Sequence, residues 1–354
     1  MLTDIRLQNF RSYKDSSFEF DPGVNIIVGP NASGKTNLLE AILVVNKGSS
    51  YRVKDNDLIK FNESWSRIDA DLSGGDSRSV KLEAGQSTQI DKTYLIDRKN
   101  YKRLSLNHKL PVVLFEPDNL RLFSAGPEKR RDYIDDLLSQ IMPGYSNIRK
   151  QYLRVLNQRN SLLKQPTRDI HQQIFPWNLR LSELAGQIVQ KRSNLIYGLD
   201  SKIGDLYKQL SKTNKKVNLD YQSSWPAEAY ETNLLKKLEK NIETDQARGF
   251  TTSGPHREDM IIYFDKRPSQ EVASRGEVRT AILALKITEL ELLESSYDST
   301  PILLLDDVFS ELDGKRRHAL TDYIQTYQTF ITTTDADIVM EYFTQTSHVI
   351  PLGS

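Results

Sequence analysis

The sequence predicts an α/β fold with a mixed sheet, interrupted by an inserted antiparallel helical arm or lobe. Two landmarks and the stretch separating them carry that prediction. Near the start, the apolar run Val24, Ile26, Ile27, Val28 leads into Gly29-Pro30-Asn31-Ala32-Ser33-Gly34-Lys35-Thr36, after which Leu38, Leu39, Ala41, Ile42 and Leu43 recur at helical spacing. Near the end, Pro301-Ile302-Leu303-Leu304-Leu305-Asp306-Asp307 reads as a buried parallel strand with acids at its carboxyl end. Between them lies a long segment of helical period. The expected division is therefore 1–126, 127–246 and 247–354: first half, helical insertion, second half.

In chain order, Ile5, Leu7 and Phe10 with Phe18 and Phe20 read as paired strands, and Arg11 on the turn between them is a candidate phosphate ligand. The strand, glycine-rich loop and helix context makes Gly29 to Thr36 a phosphate-binding loop. Backbone amides and the helix dipole meet phosphate oxygens, Lys35 reaches the same oxygens, and the Thr36 hydroxyl is placed for Mg²⁺. Asn37 is counted with the loop. Gly29 and Gly34 are needed because a Cβ would obstruct the turn. Residues 51–107 alternate apolar with polar, as in Ile68, Ala70, Leu72 and Val80, Leu82, which predicts an antiparallel sheet. Arg98, Lys99, Lys102, Arg103, His108 and Lys109 cluster after its last hairpin and are candidate DNA contacts. A helix is expected from Pro127, where Pro and Glu128 suit a first turn. Two long amphipathic segments follow, separated by the polar break Gln165-Pro166-Thr167-Arg168, and a further helix from Ala227 to about Thr244 closes the insertion.

Ser274-Arg275-Gly276 just before the apolar helix Ala281 to Leu293 offers a hydroxyl, a glycine backbone and helix-terminal amides to an anion. Asp306 is placed to bind Mg²⁺ and Asp307 to orient the attacking water or take its proton. Ser310 to Asp313 reads as a loop. Thr329 to Thr334 reads as another strand whose terminal hydroxyls approach the γ-phosphate, with Thr334 counted among the catalytic groups together with Lys35, Asp307 and Ser274.

The chain has 354 residues, 38% hydrophobic and 27% charged, the profile of a soluble globular protein. It contains no cysteine, which excludes thiol catalysis, disulfides and thiolate metal sites. No apolar run approaches about 18 residues and no signal segment opens the chain, so a cytoplasmic location without membrane partners is expected. A net charge of +1 predicts that any nucleic-acid surface is a local patch.

Leu7 to Tyr13, the loop 29–36, Phe115 to Leu120 with Gly126-Pro127 and Arg130-Arg131, Gly254-Pro255-His256-Arg257, Ser274 to Thr280 and Asp306 to Asp313 run in order along nearly the whole chain. In this they resemble the bacterial RecF family of recombination mediators, in the structural-maintenance and double-strand-break-repair branch of the ABC ATPases. The resemblance implies an ABC-type P-loop ATPase head, ATP and Mg²⁺ as cofactors, and weak DNA-dependent ATP hydrolysis. It also implies an ATP-dependent homodimer in which Ser274 and Gly276 of one subunit cap the γ-phosphate held by the other. Double-stranded DNA near gaps, RecR, RecO and the RecA recombinase are the implied partners, in a nucleoid-associated setting of DNA replication, repair and the SOS response.

Some positions depart from the general ABC pattern. Arg275 stands where a second glycine or a polar residue is usual, and Glu277 where glutamine is common. Asp307 replaces the usual glutamate, no switch histidine follows, and no glutamine lies near Phe115-Glu116-Pro117. Slow hydrolysis is expected. Two alternatives are the ATPase subunit of an ABC transporter, which needs a coupling surface and no long helical lobe, and a metabolic P-loop kinase, which has no need of the Ser274-Arg275-Gly276 element.

Overall fold

The computed structural model describes residues 1–85, 90–165, 169–343 and 347–353. The polar break at Pro166-Thr167-Arg168 lies outside them. The chain opens with β1 (Leu2–Phe10), β2 (Tyr13–Glu19) and β3 (Val24–Val28), then α1 (Lys35–Lys47). Strands β4 (Trp65–Leu72), β5 (Ser77–Ala84), β6 (Ile90–Ile96) and β7 (Lys99–Tyr101) follow, then β8 (Val112–Phe115). The alternation read from the sequence is the inside–outside pattern of the strands: Ile68 and Ala70 on β4 and Val80 and Leu82 on β5 are buried.

The second stretch begins with α2 (Pro127–Ile141), α3 (Tyr145–Leu163) and the 42-residue α4 (Ile170–Ser211). After β9 (Val217–Gln222) the expected single helix is two, α5 (Tyr230–Lys240) and α6 (Ile242–Arg248), because Asn241 leaves helical geometry. Strands β10 (Asp259–Phe264) and β11 (Arg267–Pro268), α7 (Ser269–Val272) and α8 (Arg275–Ser296) complete it. The chain then runs through β12 (Ile302–Asp306), α9 (Val308–Glu311), α10 (Gly314–Ile324), β13 (Thr329–Thr333), α11 (Ala336–Met340) and β14 (Ser347–Pro351). The expected loop at 310–313 is thus largely the end of α9, followed by Asp313 capping α10 through its carboxylate.

Two compact units result, Met1–Asn119 with Glu289–Ser354, and Leu120–Thr288. Residues 247–288, counted by the sequence reading with the second half, pack in the unit that holds the helices.

In the first unit, parallel and antiparallel strands sort into separate sheets. The order β2-β1-β4-β5-β6-β7 is antiparallel throughout, and β14-β3-β13-β12-β8 is parallel throughout. Helix α1 packs against strands of both sheets, which is why Leu38 to Val45 are buried without a polar face. The buried Gln328 side chain ties the sheets together: its oxygen accepts from Leu2 N at 2.8 Å, and its nitrogen donates to the Leu2 and Asp21 carbonyls at 2.6 and 3.0 Å.

In the second unit, α2, α3, α5 and β9 all pack on α4 and bury one broad face along its length, while the opposite face stays exposed. The insertion is consequently a compact lobe and not a slender arm. Its interior carries charge in matched sets. Arg159 reaches Asp245 at 2.8 Å, Thr251 Oγ1 at 2.7 Å and Asn178 at 2.8 Å, with both ions of the pair buried. Arg192 meets Asp135 through two bonds of 2.9 Å and donates to the Pro255 carbonyl at 2.7 Å. These bonds fix the loop at Gly254-Pro255-His256-Arg257, where Tyr152 Oη lies 2.6 Å from His256 Nδ1.

Candidate nucleotide site

The site grows from the carboxyl ends of adjacent parallel strands, where a doubly covered α/β sheet leaves its backbone free to meet ligands. Strand β3 runs into the loop 29–34 and α1 starts at Lys35. Gly29 N donates to the Thr333 carbonyl at 3.3 Å, which fixes the loop on the end of β13. Gly34 has φ +105°, and a Cβ there would stand 2.8 Å from Tyr13 Oη. That hydroxyl donates to the Gly34 carbonyl at 3.0 Å. Gly29 is excluded from bearing a side chain for another reason: its Cβ would fall 2.5 Å from the carbonyl oxygen of Leu352. Ala32 takes a positive φ of 67° without glycine's freedom, and the Ser33 hydroxyl is buried without a hydrogen-bond partner. Pro30, Asn31 and Ala32 are exposed at the turn.

Lys35 is buried, and its ammonium donates to the carbonyls of Gly29 at 2.8 Å and Pro30 at 3.0 Å. Across the mouth of the loop, Thr36 Oγ1 donates to Asp306 Oδ1 at 3.0 Å, although 270 positions separate the two residues. Thr332 Oγ1 donates to the same Oδ1 at 2.9 Å and accepts from Asp307 N at 2.9 Å. Tyr51 Oη donates to Asp306 Oδ2 at 3.2 Å. Asp307 sits at φ 54°, and its carboxyl is held above the usual range by burial and by neighbouring Asp306, with Lys35 pulling the other way. Hydroxyl and carboxylate oxygens of this kind suit a hard cation such as Mg²⁺.

The structure therefore gathers the loop, Lys35, Thr36, Asp306 and Asp307. Thr334 is exposed just past β13, and it is Thr332, two residues earlier, whose hydroxyl touches Asp306. Arg11 is engaged within the protein: its Nε lies 2.9 Å from the fully buried Glu40 carboxylate, and its guanidinium donates to the backbone carbonyl of Asp57 at 2.9 Å. Asn37 donates to Ser12 Oγ at 2.9 Å. Arg11, Ser12, Asn37, Asp57, Lys60 and Phe61 line a cavity of about 560 Å³. The basic residues Arg98, Lys99, Lys102 and Arg103 are exposed on the β6–β7 hairpin and after it, and the His108 ring packs tilted against Tyr101 with centroids 4.5 Å apart.

Ser274 and Gly276 belong to the other unit. The expected approach to a helix is in fact its first turn, since α8 begins at Arg275. Ser274 and Glu277 form a reciprocal cap: Ser274 N donates to the Glu277 carboxylate at 2.8 Å and Glu277 N to Ser274 Oγ at 3.3 Å. Glu277 also pairs with Lys215, and together these contacts hold its carboxyl below the usual range, Lys215 contributing most.

Sequence reasoning missed Tyr51 and Glu116, and it placed Thr334 among the catalytic groups where Thr332, in the same run of terminal hydroxyls, is the one that reaches Asp306. The β8–β12 register pairs Phe115 with Leu305, so Glu116 comes next to Asp306 at the strand ends. It occupies the place in which a glutamine was sought. Its acid identity hid it, whereas its position directly after an apolar run was visible.

A family model described as the RecF/RecN/SMC N terminal domain matches residues 1–351. The DNA replication and repair protein RecF of Ruminiclostridium cellulolyticum is 34% identical over 349 residues, covering 95% of this chain and 93% of that protein. RecF of Acaryochloris marina is 35% identical over 350 residues, covering 94% and 92%. A solved structure of the recombination mediator protein RecF with ATPrS, in the RecFOR pathway, superposes with a TM-score of 0.85 at 32% identity, covering 95% of this chain and 92% of that one. A second structure, of RecF with ATP, gives a TM-score of 0.84 at 31% identity, covering 94% and 92%.

Proposed function

This chain belongs to the RecF family, and from that premise we propose that it is an ATP-dependent, double-stranded-DNA-binding recombination mediator. In this reading it dimerises on ATP, works with RecR and RecO to load RecA at gapped DNA, and uses slow hydrolysis for release. The observation that carries the reading is the 3.0 Å contact of Thr36 with Asp306, which joins the phosphate loop to the acid-ended strand. The solved RecF structures with ATP and ATPrS support ATP as the nucleotide.

Gly29 to Asn37 hold the phosphates, with backbone amides at the start of α1 and the Lys35 ammonium as donors. Lys35 leaves the Gly29 and Pro30 carbonyls to do so. Thr36 and Asp306 hold Mg²⁺, which neutralises charge on the phosphates when bound. Asp307, already pushed towards a higher pKa, orients the attacking water and takes its proton. Arg11 and the cavity beside Asn37 receive the rest of the nucleotide. In the dimer, Ser274 and Gly276 cap the partner's γ-phosphate through the start of α8, and Thr334 closes the same side. Arg98, Lys99, Lys102 and Arg103, with basic residues of the lobe, contact DNA phosphates. No described helix is long and apolar enough to cross a membrane, which accords with work on the nucleoid in the cytoplasm.

The test is sedimentation with and without ATP and Mg²⁺, together with a duplex-binding titration across salt concentrations. The expected result is a monomer that becomes a dimer with ATP, and DNA binding that is tighter with ATP and weakens steeply with salt. Monomers in both conditions, or equal DNA affinity with and without ATP, would refute it.

A further inference from the structure

The segment after α1 runs over the acid end of β12, and Tyr51 is the residue that reaches it. Asp306 receives three hydroxyls: Thr36 and Thr332 on Oδ1 at 3.0 and 2.9 Å, and Tyr51 on Oδ2 at 3.2 Å. The first two hold one oxygen and leave the other without a donor from either threonine. Tyr51 supplies a donor to that second oxygen, so both carboxylate oxygens are hydrogen-bonded and the orientation of the group is reinforced from its other side.

Tyr51 is itself held in place. Ser50 Oγ donates to the buried Glu40 of α1 and accepts from Arg52 N at 3.0 Å and Val53 N at 3.2 Å, so the backbone on both sides of Tyr51 is tied to one hydroxyl. Glu40 is in turn paired with Arg11 at 2.9 Å.

We propose that Tyr51 is a positioning residue for the divalent cation, aiming the Asp306 carboxylate towards Thr36, and that the Arg11–Glu40–Ser50 chain holds it in register with α1. The proposal rests on the ATP-dependent reading above. It assigns a metal-affinity role to a residue outside the phosphate loop and the acid-ended strand, and it links the Arg11 side of the site to its metal side through one buried glutamate.

The experiment measures Mn²⁺ affinity by electron paramagnetic resonance on the full chain saturated with ATP, and ATP affinity in EDTA, for wild type, Tyr51→Phe and Ser50→Ala. Removing an outer hydrogen bond to a metal-binding carboxylate weakens metal affinity by about 10- to 100-fold. Tyr51→Phe keeps the packed ring, so Mn²⁺ affinity should fall by about tenfold or more while metal-free ATP affinity stays within about twofold; Ser50→Ala should move the same quantity by less. Unchanged Mn²⁺ affinity in Tyr51→Phe, or an equal loss of ATP affinity in EDTA, would overturn the proposal and leave the ATP reading standing. A wild-type chain that binds no ATP would overturn both.

Discussion

Replacing Lys35 with methionine removes the only side-chain charge inside the phosphate loop, and the structure sets the size of the effect from both ends of the equilibrium. With the site free of nucleotide, the ammonium makes two bonds to loop carbonyls, at 2.8 and 3.0 Å. With nucleotide bound it trades these for phosphate oxygens. Hydrogen bonds to charged groups contribute about 1.5–3 kcal/mol each, and the phosphate contact has charge on both partners. Because two neutral carbonyls are given up, the net loss should lie near one such bond, about 1.5–3 kcal/mol, or roughly 10- to 150-fold in Kd at 1.4 kcal/mol per decade. The same variant loses the two carbonyl bonds in the free protein and should melt earlier. Isothermal titration with ATP, beside a thermal melt, measures both. An unchanged ATP affinity would show that Lys35 only braces the loop, and the phosphate role would have to be abandoned.

Ser274→Arg should leave ATP binding intact and abolish ATP-driven dimerisation in sedimentation; since Ser274 also caps α8, Ser274→Ala should separately cost about 0.5–2 kcal/mol of stability in a denaturant melt. Asp307→Asn should prolong the lifetime of the ATP dimer on DNA, and wild-type single-turnover hydrolysis should stay below about 10 s⁻¹, the enzyme median; a faster rate, or a variant dimer that opens at the wild-type rate, would defeat the slow-release reading. His256 is held down to about 4 from 6.5, chiefly by burial, so the native state stays neutral where the unfolded chain takes a proton. Stability from this residue is complete above pH 6.5, declines as pH falls through 6.5 and levels off near 4. The total is at most on the order of 3 kcal/mol, so urea melts between those limits should slope less with pH in His256→Gln, and equal slopes would sink the argument.

The phosphate loop and the acids after β12 were legible because each is a short, local pattern in which residue type and turn geometry determine one another. The parallel sheet was not. Its neighbours, β3 beside β13 and β14, come from opposite ends of the chain, and nothing local in Val24 to Val28 names a partner. Thr332 and Thr334 illustrate the same limit at the scale of one side chain. Both are threonines near a strand end, and only pairing in register with Asp306 decides that Thr332 faces the site. The lobe could not be told from an arm because one apolar face reads the same whether a single helix or several elements cover it, and only the fold shows α2, α3, α5 and β9 all packed on α4. Asn241 carried no proline or glycine to announce its break between α5 and α6. Tyr51 opened the stretch read as alternating strands, which begin only at Trp65, and what sets it apart is a single contact to a residue 255 positions away.

The position of β3 has a consequence for how the chain is made. Strands β1, β2, β4, β5, β6 and β7 find all their partners within the first 101 residues and can pair while synthesis continues. Strand β3, made among them, has both edges waiting: one for Thr329–Thr333, the other for Ser347–Pro351. Until more than 300 further residues have emerged, at about 5–20 per second, Val24-Asn25-Ile26-Ile27-Val28 is an unpaired apolar strand. For some tens of seconds on the ribosome it is a sticky segment that invites pairing with other chains and occupancy by a chaperone. Synonymous codons that slow translation after residue 36 should therefore lower soluble yield more than the same delay placed before residue 20, without altering the finished protein.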